Sequence, residues 1–168
     1  MTILATEQKR VSVGIGQLAV SKDPREVLVA YGLGSCIGVT VWDPQARVGG
    51  LVHVLLPDSE GRRCDSKEPA RFADVGIDVL VQKVVEAGAM PRRLIVKLAG
   101  GAAVLGPANA EKFKIGDRNA EAIHQRLKRH GLSPIAADTG GVKGRTLEMH
   151  LATGKTYVRT AASAASEL

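Results

Sequence analysis

Aromatic residues and cysteines are both scarce in this chain of 168 residues. It has one Trp, two Tyr and two Phe, and its only cysteines are Cys36 and Cys64. Two cysteines cannot build the disulfide framework of a small secreted domain, and a chain of this length does not need one. Five aromatic residues, none interleaved with a basic cluster, argue against nucleic-acid binding despite the net charge of +6. We therefore expect one cytoplasmic domain that does not bind nucleic acid.

Long hydrophobic runs are also missing. The longest stretch without a charged residue, residues 27–42, is interrupted by three glycines, so no membrane insertion is expected. Residues 1–10 lack the apolar segment of a signal peptide and are predicted to be flexible. The positive charge is concentrated in residues 61–130, and such a surface would attract an acidic partner.

Hydrophobic periodicity predicts an α/β domain over residues 11–160, with mixed, largely antiparallel sheets flanked by two helices, and a frayed tail over 161–168. Apolar spacing predicts one helix from residue 73 to the Gly88–Pro91 region and a second from about residue 117 or 119 to Gly131. A polar loop is expected at 58–69. Strands are predicted at 11–16, 26–31, 35–42, 48–56, 94–98, 135–137, 146–151 and 155–160.

The strands at 35–42 and 48–56 are predicted to form a hairpin, because Asp43 and Pro44 suit the first two positions of a type I turn. A tight turn there would place Cys36 directly opposite His53, with a diagonal arrangement as the alternative if Gly49 and Gly50 form a bulge. A thiol and an imidazole at that separation can exchange a proton, which lowers the pKa of the thiol.

The residues just before Cys36 favour a catalytic reading of this pair. The sequence Gly-Leu-Gly-Ser at 32–35 lets the backbone approach a ligand and point N–H groups at an oxyanion. The alternative is that Cys36 and His53 are ordinary buried core residues. Cys64 is expected to be an exposed loop thiol, and the histidines lack metal-ligand spacing, so no metal or organic cofactor is expected.

Several motifs resemble the CheD family of bacterial chemoreceptor glutamine deamidases. The active-site region of that family is similar to Tyr-Gly-Leu-Gly-Ser-Cys at 31–36 and to Gly-Gly-Leu-Val-His-Val-Leu-Leu-Pro-Asp-Ser at 49–59. The similarity runs from residue 11 to about 160 and includes segments 99–102, 115–119, 138–141 and 153–155. The resemblance implies a fold related to the cytotoxic necrotizing factor toxins. It also implies that the protein converts glutamine side chains of methyl-accepting chemotaxis proteins to glutamate.

The resemblance assigns Cys36 as the nucleophile and His53 as the base, with no cofactor. Backbone N–H groups from Ser35 to Ile37 are then expected to stabilise the oxyanion. Gly34, Gly100 and Gly101 are expected to contact the substrate. Hydrolysis of a glutamyl methyl ester is expected as well, because only the leaving group differs.

One position departs from the family pattern. The family commonly has a threonine five or six residues before the cysteine, where this chain has Tyr31 and Ala30. Either a backbone carbonyl, Ser35 or Thr40 orients His53, or catalysis is weak and binding dominates. In the second case the protein would be an adaptor for receptors or for a CheC-type phosphatase.

Overall fold

The computed structural model describes residues 7–105 and 114–168, and it contains two five-stranded sheets that pack face to face. The first sheet has the order β1-β3-β8-β9-β10 and the second β2-β5-β4-β6-β7. The strands are β1 (Lys9–Ser12), β2 (Leu18–Ser21), β3 (Glu26–Leu33), β4 (Ile37–Asp43), β5 (Val48–Val54), β6 (Ile95–Gly100), β7 (Pro134–Thr139), β8 (Arg145–His150), β9 (Thr156–Thr160) and β10 (Ser166–Glu167). The helices are α1 (Ala73–Glu86), α2 (Ile115–Arg129) and a short 3₁₀ turn, Pro91–Arg93.

Two hydrophobic layers hold these elements together. One layer lies between the second sheet and the helices, and joins Ile37 and Val39 of β4 to Leu80 of α1 and Ile123 of α2. The other lies between the two sheets and contains Leu28, Leu51, Leu147, Met149, Trp42 and Cys36, among others. Strands β4 and β5 are buried on both faces, which explains their nearly continuous apolar sequence.

The predicted α/β class, with two long helices and mostly antiparallel strands, is confirmed. The two helices also pack against each other, where Arg126 of α2 and His130, the residue after α2, both contact the carboxylate of Asp78 in α1. No helix in the described ranges is long and apolar enough to cross a membrane.

Four details of the predicted organisation differ in the structure. The first strand ends at Ser12 instead of continuing to residue 16, and the edge strand β2 was not predicted. The tail is not frayed throughout, since β10 pairs with β9 and the ammonium of Lys97 contacts the carbonyl of Leu168. At the other end, β1 begins at Lys9, inside the segment predicted to be flexible, while residues 1–6 lie outside the described residues.

The hairpin register also differs from the prediction. The β4–β5 connection has four residues instead of two, because the carboxylate of Asp43 accepts hydrogen bonds from the backbone N–H groups of Gln45 and Ala46. Pairing continues without a bulge from Asp43 and Val48 to Ile37 and Val54, so His53 lies opposite Gly38. Cys36 therefore occupies the diagonal position relative to His53.

Candidate active site

Cys36 and His53 both face the layer between the two sheets. Cys36 immediately precedes β4, and His53 lies in β5 on the same face of the hairpin, since strand residues two apart share a face. The exposed fraction is 6% for Cys36 and 2% for His53. The diagonal positions of an antiparallel pair remain within reach of their side chains. The structure thus places the two residues that the sequence singled out on one face of the hairpin, in diagonal positions.

The two ring nitrogens of His53 have different surroundings. Nδ1 lies 3.0 Å from the backbone carbonyl oxygen of Val13, an acceptor, so Nδ1 carries the proton and donates it there. Nε2 is buried and has no hydrogen-bond partner. Burial lowers the pKa of His53 below its ordinary value of 6.5, an effect that the Val13 carbonyl partly opposes. The ring is therefore neutral at pH 7, with an unoccupied lone pair on Nε2.

The thiol of Cys36 is neutral as well. Burial raises its pKa above the ordinary value of 9.0, and only its own backbone N–H acts in the opposite direction. The sequence predicted a lowered thiol pKa from proton exchange with His53. That expectation is not met, because no hydrogen bond joins the thiol to Nε2 in this structure. The pair is thus a thiol and a neutral imidazole, and proton transfer has to accompany the reaction.

The glycines around Cys36 allow close backbone packing. The N–H of Gly101 donates to the carbonyl oxygen of Cys36 at 2.9 Å, and the N–H of Ala102 donates to that of Gly34 at 2.7 Å. Gly100 has a φ of 122°, and a Cβ there would lie 2.2 Å from the Cys36 carbonyl oxygen. Gly34, Gly100 and Gly101 therefore hold the backbone of the site, and their predicted contacts with substrate stay a prediction.

Among the candidates for orienting His53, a backbone carbonyl, that of Val13, makes the contact. The hydroxyl of Thr40 donates instead to the carbonyl oxygen of Lys97, and it lies 3.4 Å from the hydroxyl of Thr156. The suggested role of Thr40 in orienting His53 is therefore not supported. Ser35 makes no hydrogen bond to His53. The side chain of Ile37 packs toward the helices, and its backbone pairs with Val54 of β5 and Gly100 of β6, so the suggested role of its N–H at the oxyanion is not supported.

The two positions where the family commonly has threonine point in different directions. Ala30 is fully buried in the layer between the sheets, together with Cys36 and Val13. Tyr31 is nearly half exposed and its hydroxyl accepts a hydrogen bond from Arg10. Of the two, only position 30 faces the site.

Sequence reasoning missed two polar side chains that organise the site. Asn119 of α2 is completely buried, and its amide nitrogen donates to the carbonyl oxygens of Ser35 and Leu55, each at 3.0 Å. Arg145 donates to the carbonyl oxygens of Gly100 and Gly140 and pairs with Asp138. The only signal for Asn119 was its place in the 115–119 motif, and nothing in the sequence marked Arg145.

The remaining cysteine, Cys64, lies apart from this arrangement. Cys64 is a free, partly buried thiol in the loop before α1, and Cys36 is free as well. Across residues 7–105 and 114–168, no group of three or more His, Cys, Asp or Glu side chains could hold a metal ion.

A pocket of about 180 Å³ adjoins the site and is lined by Gly101, Ala102, Ala103, Lys114, Gly116, Asp117, Gly140 and Gly141.

Comparison with known proteins gives one consistent family. A family model described as "CheD chemotactic sensory transduction" matches residues 55–160. A relative from Symbiobacterium thermophilum, named "Probable chemoreceptor glutamine deamidase CheD", is 43% identical over 97% of this chain and 99% of its own length. A relative from Thermotoga maritima, named "Chemoreceptor glutamine deamidase CheD", is 42% identical over 88% of this chain and 89% of its own.

A solved structure also shows partial similarity. The "Crystal structure of Bacillus licheniformis hypothetical protein YfiH" matches with a TM-score of 0.48 and 12% identity, over 82% of this chain and 62% of that one.

Proposed function

The chain belongs to the CheD family, and from that membership and the site geometry we propose that it is a chemoreceptor glutamine deamidase with Cys36 as nucleophile and His53 as base. The observation that carries the proposal is the state of His53. Its Nδ1 proton is held by the Val13 carbonyl, and its Nε2 lone pair is buried without a partner on the same face as a free thiol.

The first half of the reaction forms a thioester. His53 Nε2 removes the proton of the Cys36 thiol as Sγ attacks the carbonyl carbon of a glutamine side chain. Backbone N–H groups of Ser35 and Cys36 stabilise the resulting oxyanion. The imidazolium then donates its proton to the departing nitrogen, the C–N bond breaks, and ammonia leaves. The Val13 carbonyl supports this transient imidazolium through the Nδ1–H hydrogen bond.

The second half regenerates the enzyme. Water attacks the thioester carbonyl while His53 Nε2 accepts its proton. The C–S bond breaks, glutamate is released, and the proton returns to the Cys36 sulfur. A glutamyl methyl ester would follow the same steps, with methanol in place of ammonia, because the carbonyl carbon and the acyl thioester are identical. Every proton is carried by His53, so the chemistry uses only groups of this chain.

The burial of the site favours a slender substrate. With a thiol that is 6% exposed, the reacting group has to enter through a narrow opening. An unbranched glutamine side chain on the surface of a helix can extend into such an opening, whereas its backbone remains outside. The proposed substrates are methyl-accepting chemotaxis proteins, which also implies that the protein acts in the cytoplasm.

An adaptor role remains the second candidate. Two observations favour slow catalysis: the pKa of the Cys36 thiol is raised, and the family's threonine is replaced by Ala30 and Tyr31. A protein of that kind would bind receptors or a CheC-type phosphatase without turning over glutamine.

Mass spectrometry of a receptor fragment separates the two candidates. A purified cytoplasmic fragment of a methyl-accepting chemotaxis protein is incubated with a catalytic amount of the protein, and tryptic peptides are then compared with an untreated sample. We expect glutamine-containing peptides to gain the mass of an amide-to-acid conversion, with more than one conversion per protein molecule. Tight binding of the fragment without any conversion would reject the deamidase and support the adaptor.

A further inference from the structure

We propose that Asn119 is a positioning residue that fixes the oxyanion-stabilising peptide of the site, an inference that rests on the proposed role of Cys36 as nucleophile. Its single amide group contacts both halves of the site. Asn119 Nδ2 donates to the carbonyl oxygen of Ser35, the residue before Cys36, and to that of Leu55, two residues after His53. One side chain of α2 thus ties together the start of β4 and the end of β5.

The bond to Ser35 determines the direction of the N–H group at Cys36. The carbonyl of Ser35 and the N–H of Cys36 belong to the same planar peptide unit, where they point in opposite directions. When Asn119 holds the carbonyl, the direction of that N–H is fixed as well. The next peptide unit is held too, because the carbonyl oxygen of Cys36 accepts the N–H of Gly101 at 2.9 Å. Both peptide units that flank the thiol are therefore fixed before substrate binds.

The sequence around Asn119 explains how a helix reaches this place. A Cβ on Gly116 would lie 2.3 Å from the carbonyl oxygen of Gly101, so glycine is needed for the first turn of α2 to lie on that loop. Asn119 follows three residues later, on the same side of the helix. This gives a physical role to the 115–119 motif, which the Cys36–His53 mechanism alone leaves unexplained.

The amide oxygen of Asn119 argues against a role of this residue in stability alone. Asn119 Oδ1 is buried and has no hydrogen-bond partner, and such an atom destabilises the folded state. A leucine would remove that cost, but it would leave the carbonyl oxygens of Ser35 and Leu55 without their donor. Retaining an amide whose oxygen is unsatisfied suits a residue whose two N–H donors serve catalysis.

We expect Asn119 to stabilise the transition state of the reaction and not the bound substrate. A hydrogen bond to a carbonyl polarises its peptide and strengthens the N–H on the other side, and here that N–H faces the charge that develops on the substrate oxygen. Interactions that strengthen only as charge develops raise kcat and leave KM unchanged. Removing the Asn119 donors should therefore slow reactions that pass through an oxyanion, and leave other reactions of the thiol alone.

Two reagents distinguish these reactions without needing the receptor. In p-nitrophenyl acetate the Cys36 sulfur attacks a carbonyl carbon and expels p-nitrophenolate, so an oxyanion forms. In iodoacetamide the sulfur displaces iodide from a saturated carbon, and no oxyanion forms. Both rates are measured at Cys36 by peptide mapping in a Cys64→Ser background, for wild type, Asn119→Leu and Asn119→Asp. Asn119→Asp keeps the shape of the side chain but cannot supply two N–H donors.

Leu127→Ala serves as the matched control, because Leu127 is buried on the same helix and packs in the layer away from Cys36. We expect the Asn119 variants to lose at least about tenfold in acylation and to stay within about twofold of the control in alkylation. Equal losses in both reactions, or an unchanged acylation rate in both variants, would overturn the inference. If Cys36 is acylated as expected but the receptor is never deamidated, the proposed function fails while the role of Asn119 stands. Acylation at a residue other than Cys36 rejects both.

Discussion

The neutral state of Cys36 and His53 determines how the site responds to pH. His53 has to be unprotonated to accept the thiol proton, and burial lowers its pKa below 6.5. Cys36 has to keep its proton until attack, and burial raises its pKa above 9.0. We predict a bell-shaped profile of kcat/KM with an acid limb below pH 6.5 and an alkaline limb above pH 9.0. An acid limb at or above pH 6.5 would show that burial does not lower the pKa of His53, and an alkaline limb below pH 9.0 would contradict a neutral thiol.

A second prediction at this scale concerns the family's missing threonine. Ala30 lies in the same layer as Cys36 and Val13, whereas Tyr31 faces outward toward Arg10. A hydroxyl at position 30 can join the polar contacts of His53, so Ala30→Thr should raise the single-turnover rate by up to about tenfold, equivalent to about 1.4 kcal/mol of barrier. Tyr31→Thr is the matched control and should stay within about twofold. A rate increase in Tyr31→Thr, or none in either variant, would contradict this assignment.

At the residue scale, the sequence predicted the reactive side chains but not the groups that hold them in position. Cys36 and His53 could be singled out because thiol and imidazole carry recognisable reactivity. Val13 acts through its carbonyl, which every residue has, so nothing in the sequence marks it. Asn119 acts from α2, more than 60 residues away from both of its partners along the chain. Such contacts depend on tertiary packing that local patterns do not contain.

At the scale of elements, the β4–β5 hairpin depends on Asp43. Its side chain is buried, pairs with Arg93 at 2.7 Å, and also accepts the N–H of Met90. Burial acts to raise the pKa of Asp43, but together these bonds outweigh it and hold the pKa far below its ordinary value. The turn residues correctly predicted a hairpin. The predicted register was wrong, because the carboxylate of Asp43 accepts hydrogen bonds from the N–H groups of the two residues after Pro44 and the turn is two residues longer. A shift of two residues keeps Cys36 and His53 on the same face of the hairpin.

We predict that Asp43→Ala lowers the free energy of unfolding by about 3 kcal/mol, because it leaves Arg93 and three backbone N–H groups without their acceptor. Urea denaturation measures this, with Asp23→Ala as control. Asp23 also pairs with an arginine, Arg25, but on the surface, so its loss should cost clearly less. The stabilisation by Asp43 is present above its unfolded pKa of 3.8 and is lost as pH falls further. Equal losses in the free energy of unfolding for the two variants at pH 7 would show that the buried ion pair stabilises the fold no more than the surface pair does.

For the whole molecule, the sequence predicted the class of fold but not how the sheets are assembled. Strands β3 and β4 are neighbours in the chain and lie in different sheets, and β1 pairs with β3 in parallel. Alternation along a strand shows that one face is buried, but it does not identify the strand that covers it. The stacking of the two sheets is what encloses Cys36 and brings the carbonyl of Val13 to His53.

The net charge of +6 gives a prediction at the same scale. If the substrate is an acidic receptor surface, attraction between the partners should weaken as salt shortens the Debye length from about 10 Å at 0.1 M to about 3 Å at 1 M. We expect KM for a receptor fragment to rise several-fold over this range while kcat stays constant. The uncharged ester p-nitrophenyl acetate is the control and should show no such change. A KM that is independent of salt would exclude electrostatic steering.

The most direct test of the central claim is deamidation of a receptor fragment by three variants, followed by mass spectrometry of the glutamine peptides. Cys36→Ala should fold normally and convert no glutamine, because the nucleophile is absent and only a small cavity is created. His53→Ala should lose nearly as much, since its thiol stays protonated, and Cys64→Ser should match wild type within about twofold. Conversion of glutamine by Cys36→Ala at the wild-type rate would contradict the account.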